Sequence, residues 1–322
     1  MTPRGAGASM RPMRTALRTL LLLGASLAGG EARAMIPALT LDTARTTPWT
    51  HRAHPQTMRY RWGDLLITIG ATRTSGGGGL IEPWVTVERL RPVMQGPQTR
   101  MPALTMRSGP TSPTAEHGLT VGLLDRAGTR FVMWQAYTGG LHCCFHVQLL
   151  IPEGPERGVV DLGAFDMEMM DRAPQDRDGD GRIDFVMRDD RFLYAFASFA
   201  GSFAPPQILN VRGGRAMDVS AAPGFRALFE EHLEETREGC LSGGGERNGA
   251  CAAYAASAAR LGRFESAWPE IERAYERGGD WIYPGDCGDG VAADGCAPER
   301  MVRYDFPTAL RRFLVRHGYL PR

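Results

Sequence analysis

The sequence predicts a mostly β chain: an antiparallel meander followed by a small α-helical C-terminal region. Two observations carry this. From about Tyr60 to Val219, short apolar or alternating runs follow one another across polar turns; after about Pro223 the apolar period lengthens to that of a helix. Runs of strands followed by runs of helices, without strand–helix alternation, favour antiparallel pairing over βαβ units. The regions are therefore drawn at 1–34, 35–222 and 223–322.

The first region reads as a leader. Arg11, Arg14 and Arg18 precede the apolar run "TLLLLGASLAGG", and "EARA" places small residues at Ala32 and Ala34. This is the pattern of a signal peptide cleaved after Ala34, which predicts a periplasmic or secreted protein. The longest later apolar stretch, "FLYAFASFAGSFAPP", is too short for a span, so no transmembrane segment is expected in the mature chain.

Within the β region, "DLLITIG" and "WVTVERL" read as strands around the glycine run Gly76–Gly79. "LTVGLLDRAGTRFVMWQAY" reads as a hairpin turning at Asp125–Gly128. "CFHVQLLIPEG" with "RGVVDLG" reads as another pair. "IDFVM", "RFLYAFASFA" and "PQILNVRGGRAMDVS" are expected to continue the meander. In "FRALFEEHLEETRE", Phe225, Leu228, Phe229, His232 and Leu233 share one helical face, with His232 read as a core-edge residue. The acidic pairs Glu230–Glu231 and Glu234–Glu235 fall on the expected solvent face. A helix break is expected near Gly262, an N-cap at Asp305 and a helix end at Gly318. The stretch "LGRFESAWPEIERA", with Ala267, Ile271 and Ala274 on its second helix, resembles one helical hairpin of the tetratricopeptide family. One such unit does not make a stack, so an ordinary αα-hairpin is the reading taken.

Composition excludes some functions. The 322 residues carry a net charge of +1, so no basic field awaits a nucleic acid. All 37 cationic residues are arginine, which removes a lysine Schiff base and a P-loop lysine. No G-x-S-x-G elbow or H-E-x-x-H motif is present.

The segment "PQDRDGDGRIDF" concentrates charge that something must neutralise. Asp176, Asp178, Asp180 and Asp184 follow D-x-D-x-D-G-x-x-D, and Gly179 and Gly181 permit a tight turn. Alternate carboxylates converging from such a turn suit a calcium ion, with the Arg182 carbonyl placed to add a neutral oxygen. An EF-hand is not expected, because its twelfth loop position is Met187 where a glutamate is needed. The loop resembles the β-flanked calcium loops of integrin α-chain (FG-GAP or VCBS) repeats. That resemblance implies Asp176, Asp178, Asp180, the Arg182 carbonyl and Asp184 as ligands and a partial, propeller-like β arrangement. A single such loop is present.

"YTGGLHCCFHV" is the second unusual segment. On a strand, His142, Cys144 and His146 share one face, a donor set that suits copper or zinc. The competing reading is oxidation of Cys143 and Cys144, which export favours. The six cysteines allow 15 connectivities. Nearest-neighbour pairing, Cys143–Cys144, Cys240–Cys251 and Cys287–Cys296, is the simplest. The segments "GGLHCC" and "DDRFLYAFASFA" also resemble a class of exported proteobacterial proteins.

Together these features predict an exported, calcium-stabilised β protein that binds an unidentified protein or glycan partner. A metal-dependent enzyme or redox protein built on His142, Cys144 and His146 is the alternative, and a structural envelope component is a third reading.

Overall fold

The strands arise where the sequence alternates. In chain order they are β1 (Leu39–Thr40), β2 (Thr47–Trp49), β3 (Met58–Trp62), β4 (Leu65–Arg73), β5 (Ile81–Arg89), β6 (Leu104–Arg107), β7 (His117–Leu123), β8 (Arg130–Tyr137), β9 (Phe145–Ile151) and β10 (Gly158–Phe165). Three more, β11 (Phe185–Arg188), β12 (Pro206–Arg212) and β13 (Arg215–Asp218), precede the helices. The helices are α1 (Arg226–Ser242), α2 (Asn248–Arg260), α3 (Phe264–Ala274) and α4 (Phe306–Arg316), with the short pair β14 (Asp286–Cys287) and β15 (Met301–Val302) before α4. This computed structural model describes residues 38–75, 78–90, 102–139, 144–242, 244–278, 281–283, 285–287 and 300–322.

Three sheets stack through two apolar layers. The first runs β1-β3-β4-β5-β6, the second β10-β9-β8-β7-β2 and the third β11-β12-β13; none closes on itself among the described residues. All pairings are antiparallel except β1 with β3. Strict alternation in "LLITI" turns Leu65, Ile67 and Ile69 inward, where they meet Val121, Val132 and Trp134 of the second sheet. The other face of the second sheet presents Phe131, Met133, Val147 and Leu149 to Phe185, Met187 and Leu209 of the third. The second sheet is thus covered on both faces. That explains why β8 reads "FVMWQA", apolar nearly throughout, where a one-sided strand would alternate. Each large side chain so buried contributes on the order of 1.5–3 kcal/mol.

The helices share a third core, and α2 lies at its centre. Its run "ACAAYAAS" is buried on every side, and alanine side chains let neighbouring backbones approach. A disulfide between Cys240 and Cys251 ties the end of α1 to α2. The chain turns between α2 and α3 at Gly262, whose φ of +70° suits glycine. Asp305 caps α4 by accepting from the Thr308 N–H at 3.0 Å, and Gly318 follows the helix at φ +73°.

One expected strand is not one. "RFLYAFASFA" forms a 3₁₀ turn at Asp190–Phe192 and then irregular turns. Its apparent alternation misleads, because Tyr194 points out (55% exposed) while Phe192 and Phe196 enter the helical core against Phe313. Asp189 fixes the turn: its carboxylate accepts from the Arg191 N–H and pairs with the Arg191 guanidinium at 2.6 Å. Tyr319 donates to the same carboxylate at 2.8 Å.

Candidate functional site

The aspartate loop lies on the connection from β10 of the second sheet to β11, the edge strand of the third. Gln175 bridges to Asp184 at its mouth, and β11 begins at the next residue. Gly179 and Gly181 sit at φ +77° and +94°, which lets the loop fold back onto its own carboxylates. Asp176 accepts from the Gly179 and Gly181 amides at 2.8 and 2.9 Å, and Asp178 accepts from the Asp180 amide at 3.0 Å. The result is convergence: carboxylate oxygens of Asp176, Asp178 and Asp184 all lie within 4.8 Å of one another.

Asp184 is the inner member. It is 2% exposed and accepts from the Arg177 amide at 2.7 Å and from Asn210 Nδ2 at 2.7 Å. Neither Asp184 nor Asp178 enters an ion pair among the described residues. Burial, with repulsion from Asp178, raises the Asp184 carboxyl above its ordinary value despite the lowering from its hydrogen bonds. A buried carboxylate with no counter-charge beside two others is a donor set that a hard cation fits.

Asp180 stands apart from that set. Its carboxylate pairs with Arg212 at 2.8 Å and accepts from the Arg182 amide at 2.8 Å. The Arg182 carbonyl accepts no hydrogen bond among the described residues, while on either side the Gly181 carbonyl takes the Arg126 amide and the Ile183 amide goes to Leu124. Of the five expected ligands, the structure therefore gathers the carboxylates of three and turns that of Asp180 onto an arginine.

The histidine–cysteine stretch is partly outside the described residues, which include neither His142 nor Cys143. Cys144 is disulfide-bonded, so its sulfur is not a thiolate ligand. His146 Nε2 lies 2.8 Å from Asp161 Oδ1. Cys287 is also disulfide-bonded, and the expected partner Cys296 lies outside the described residues.

A cleft of about 640 Å³ opens beside the loop, between the third sheet and α1. Met167, Met170, Met187 and Leu228 give it an apolar lining, and Asp166, Glu168, Asp190, Glu231 and Glu235 give it carboxylates. Glu231 and Glu235, read from the sequence as a plain solvent face, thus border a concavity. His232 at its side is held by Ser257 at 2.9 Å, and burial pushes its imidazole down to about 4. No periodicity announced this cleft. Its acidic residues come from three separate segments, and only the run "FDMEMMD" hinted at an acidic, methionine-rich surface.

Residues 229–318, which hold most of α1 and all of α2, α3 and α4, match the family model described as the sll0997 C-terminal domain. The chain is 35% identical over 195 residues to the probable thylakoid lumen protein sll0997 of Synechocystis sp., a match covering 59% of this chain and 56% of that protein. It is 31% identical over 206 residues to the uncharacterized protein y4bJ of Sinorhizobium fredii, covering 61% of this chain and 31% of that one. The chain therefore spans about half or less of the length of these relatives. No solved structure matches it. The chain is similar to a probable lumenal protein and, in its helical part, to that protein's C-terminal domain.

Proposed function

We propose that the mature chain is an exported, calcium-stabilised β protein that binds a protein or glycan partner in a periplasmic or lumen-type compartment. The observation that carries this is the convergence of Asp176, Asp178 and Asp184: Asp184 is buried and, like Asp178, has no cationic partner among the described residues, while Asp176 meets Arg126 at 3.8 Å. These three residues and the Arg182 carbonyl would hold the ion, which supplies positive charge and no reaction chemistry. The compartment is supported by the leader ending at Ala34, by the Cys240–Cys251 disulfide and by the printed name of the Synechocystis relative. No helix among the described residues is long and apolar enough to cross a membrane.

Calcium that binds only the folded state stabilises it by about 2.7 kcal/mol at a hundredfold excess over Kd. Millimolar calcium should therefore raise the Tm relative to chelator, with magnesium doing little. Asp178→Asn should remove that rise, whereas Asp180→Asn should leave most of it, since Asp180 is engaged by Arg212. A Tm that is the same in chelator and in calcium would refute the proposal.

A further inference from the structure

The cleft beside α1 has a composition that points to an occupant. Its volume, about 640 Å³, falls in the range of ligand-binding clefts. Methionine thioethers give three of its apolar lining groups, and such flexible, polarisable side chains suit surfaces that mould to a partner's apolar groups. Met187 is nearly buried, and Met167 and Met170 pack onto the core between the second and third sheets, so this lining is anchored.

Charge around the lining is one-sided. Five carboxylates, from Asp166, Glu168, Asp190, Glu231 and Glu235, face a single guanidinium, Arg188; His232 is neutral at pH 7. None of the five enters an ion pair among the described residues, although the chain as a whole is rich in arginine–carboxylate pairs. Asp190 is the deepest anomaly. Its Oδ2 accepts from the Asp166 amide at 2.5 Å, while its Oδ1 is shielded from solvent and has no hydrogen-bond partner. A buried acceptor left without a donor costs about 1–3 kcal/mol, and an arriving cationic donor relieves it.

We propose that this cleft is a docking groove for a basic peptide segment of a partner protein, its arginine or lysine side chains meeting the carboxylate rim and its aliphatic side chains the methionine lining. The inference deepens the binding-module reading above and rests on it, naming the site and choosing protein over glycan. Complementary charge supplies orientation and encounter rate, and apolar contact supplies the rest.

None of the aspartate-loop residues lines the groove, but the loop is joined to the elements that form both of its walls. Asp184 leads directly into β11, whose Val186, Met187 and Arg188 line one side. Asp178 packs against Gly224 at the entry to α1, so closely that a Cβ on Gly224 would lie 2.3 Å from the Asp178 Cβ. A cation held by Asp178 and Asp184 therefore fixes the relative position of the two walls, and binding should tighten in calcium.

The test is fluorescence anisotropy of the full mature chain with a short fluorescein-labelled peptide of alternating arginine and leucine. Saturable binding is expected, weakened at least about tenfold by the double variant E231Q/E235Q. The double variant E234Q/E238Q removes the same charge from the same helix outside the cleft, at side chains in no ion pair among the described residues, and should change it little. Both variants alter exposed side chains, and an unchanged Tm verifies folding. Absent saturable binding, equal loss in the two double variants, or equal binding of a glutamate–leucine peptide would overturn the proposal. The calcium arm is separate: binding that depends on Glu231 and Glu235 without any calcium effect on Tm sustains the groove and sinks the metal reading. Calcium stabilisation without peptide binding does the reverse.

Discussion

Two acidic regions lie side by side in this protein, and they are built in opposite ways. The aspartate loop gathers Asp176, Asp178 and Asp184 from nine consecutive residues and turns them inward through its own glycines and amides. The cleft gathers Asp166, Glu168, Asp190, Glu231 and Glu235 from segments about 70 residues apart at the extremes and points them around an apolar hollow. The first is a compact charge, met at one edge by Arg126 3.8 Å from Asp176 and, in the proposed reading, by a calcium ion. The second is a spread charge that suits an extended cationic partner. The first concentration of charge can be read along the chain; the second is visible only after folding.

The contrast can be broken by acid. His117 is fully buried between Trp49 and Trp134, and burial lowers its imidazole to about 4; His232, beside the cleft, is lowered to about 4 by burial and by Arg188. Both folded values lie below the unfolded one, so the stabilisation is whole above pH ~6.5 and is lost as pH falls toward 4. Each histidine should account for up to about 3 kcal/mol of that loss. Chemical denaturation across this window should show the decline, and His117→Phe should remove the share that His117 contributes, up to about 3 kcal/mol. An unchanged slope in that variant would show that the fold does not hold His117 neutral.

Removing Asp184 should be nearly as costly. Asp184→Ala leaves the Arg177 amide without its acceptor and removes one of the acceptors of Asn210 Nδ2, which still donates to the Ile183 carbonyl at 3.0 Å, a loss of about 2–3 kcal/mol even in chelator. The disulfide is comparable: Cys240→Ser with Cys251→Ser should lower stability by about 2–3 kcal/mol, read from denaturation midpoints. At the small end, E231Q/E235Q should shift stability by less than about 0.5 kcal/mol, because these side chains are exposed. A large change there would mean that the cleft carboxylates serve folding, and the two acidic regions would no longer differ in kind.

What could be read from the sequence followed the range of the interactions. The hairpin at Asp125–Gly128, the break at Gly262 and the Asp305 cap were legible because each is decided within a few residues. The tilt of Asp180 toward Arg212 was not, since the arginine comes 32 positions later, from the end of β12. "RFLYAFASFA" imitated a strand because its aromatics alternate, yet their burial is decided by α4, which arrives more than a hundred residues on. The cleft was hidden for the same reason: Glu231 and Glu235 occupy an ordinary helical solvent face until the third sheet closes against it.

The second sheet, covered on both faces, has a consequence for how the molecule opens. Its central strand β8 has six consecutive residues shielded from water, between the apolar layers of two other sheets. Amide protons there can exchange with solvent only when both layers part, so their exchange should proceed at the rate set by global unfolding. The aspartate loop hangs from the outermost sheet and is held largely by its own side chains, so its amides should exchange through local opening that leaves β8 intact. A ligand at the loop would then slow exchange there first. The middle sheet acts as an internal clock for the whole chain, insensitive to what the loop holds until the fold itself gives way.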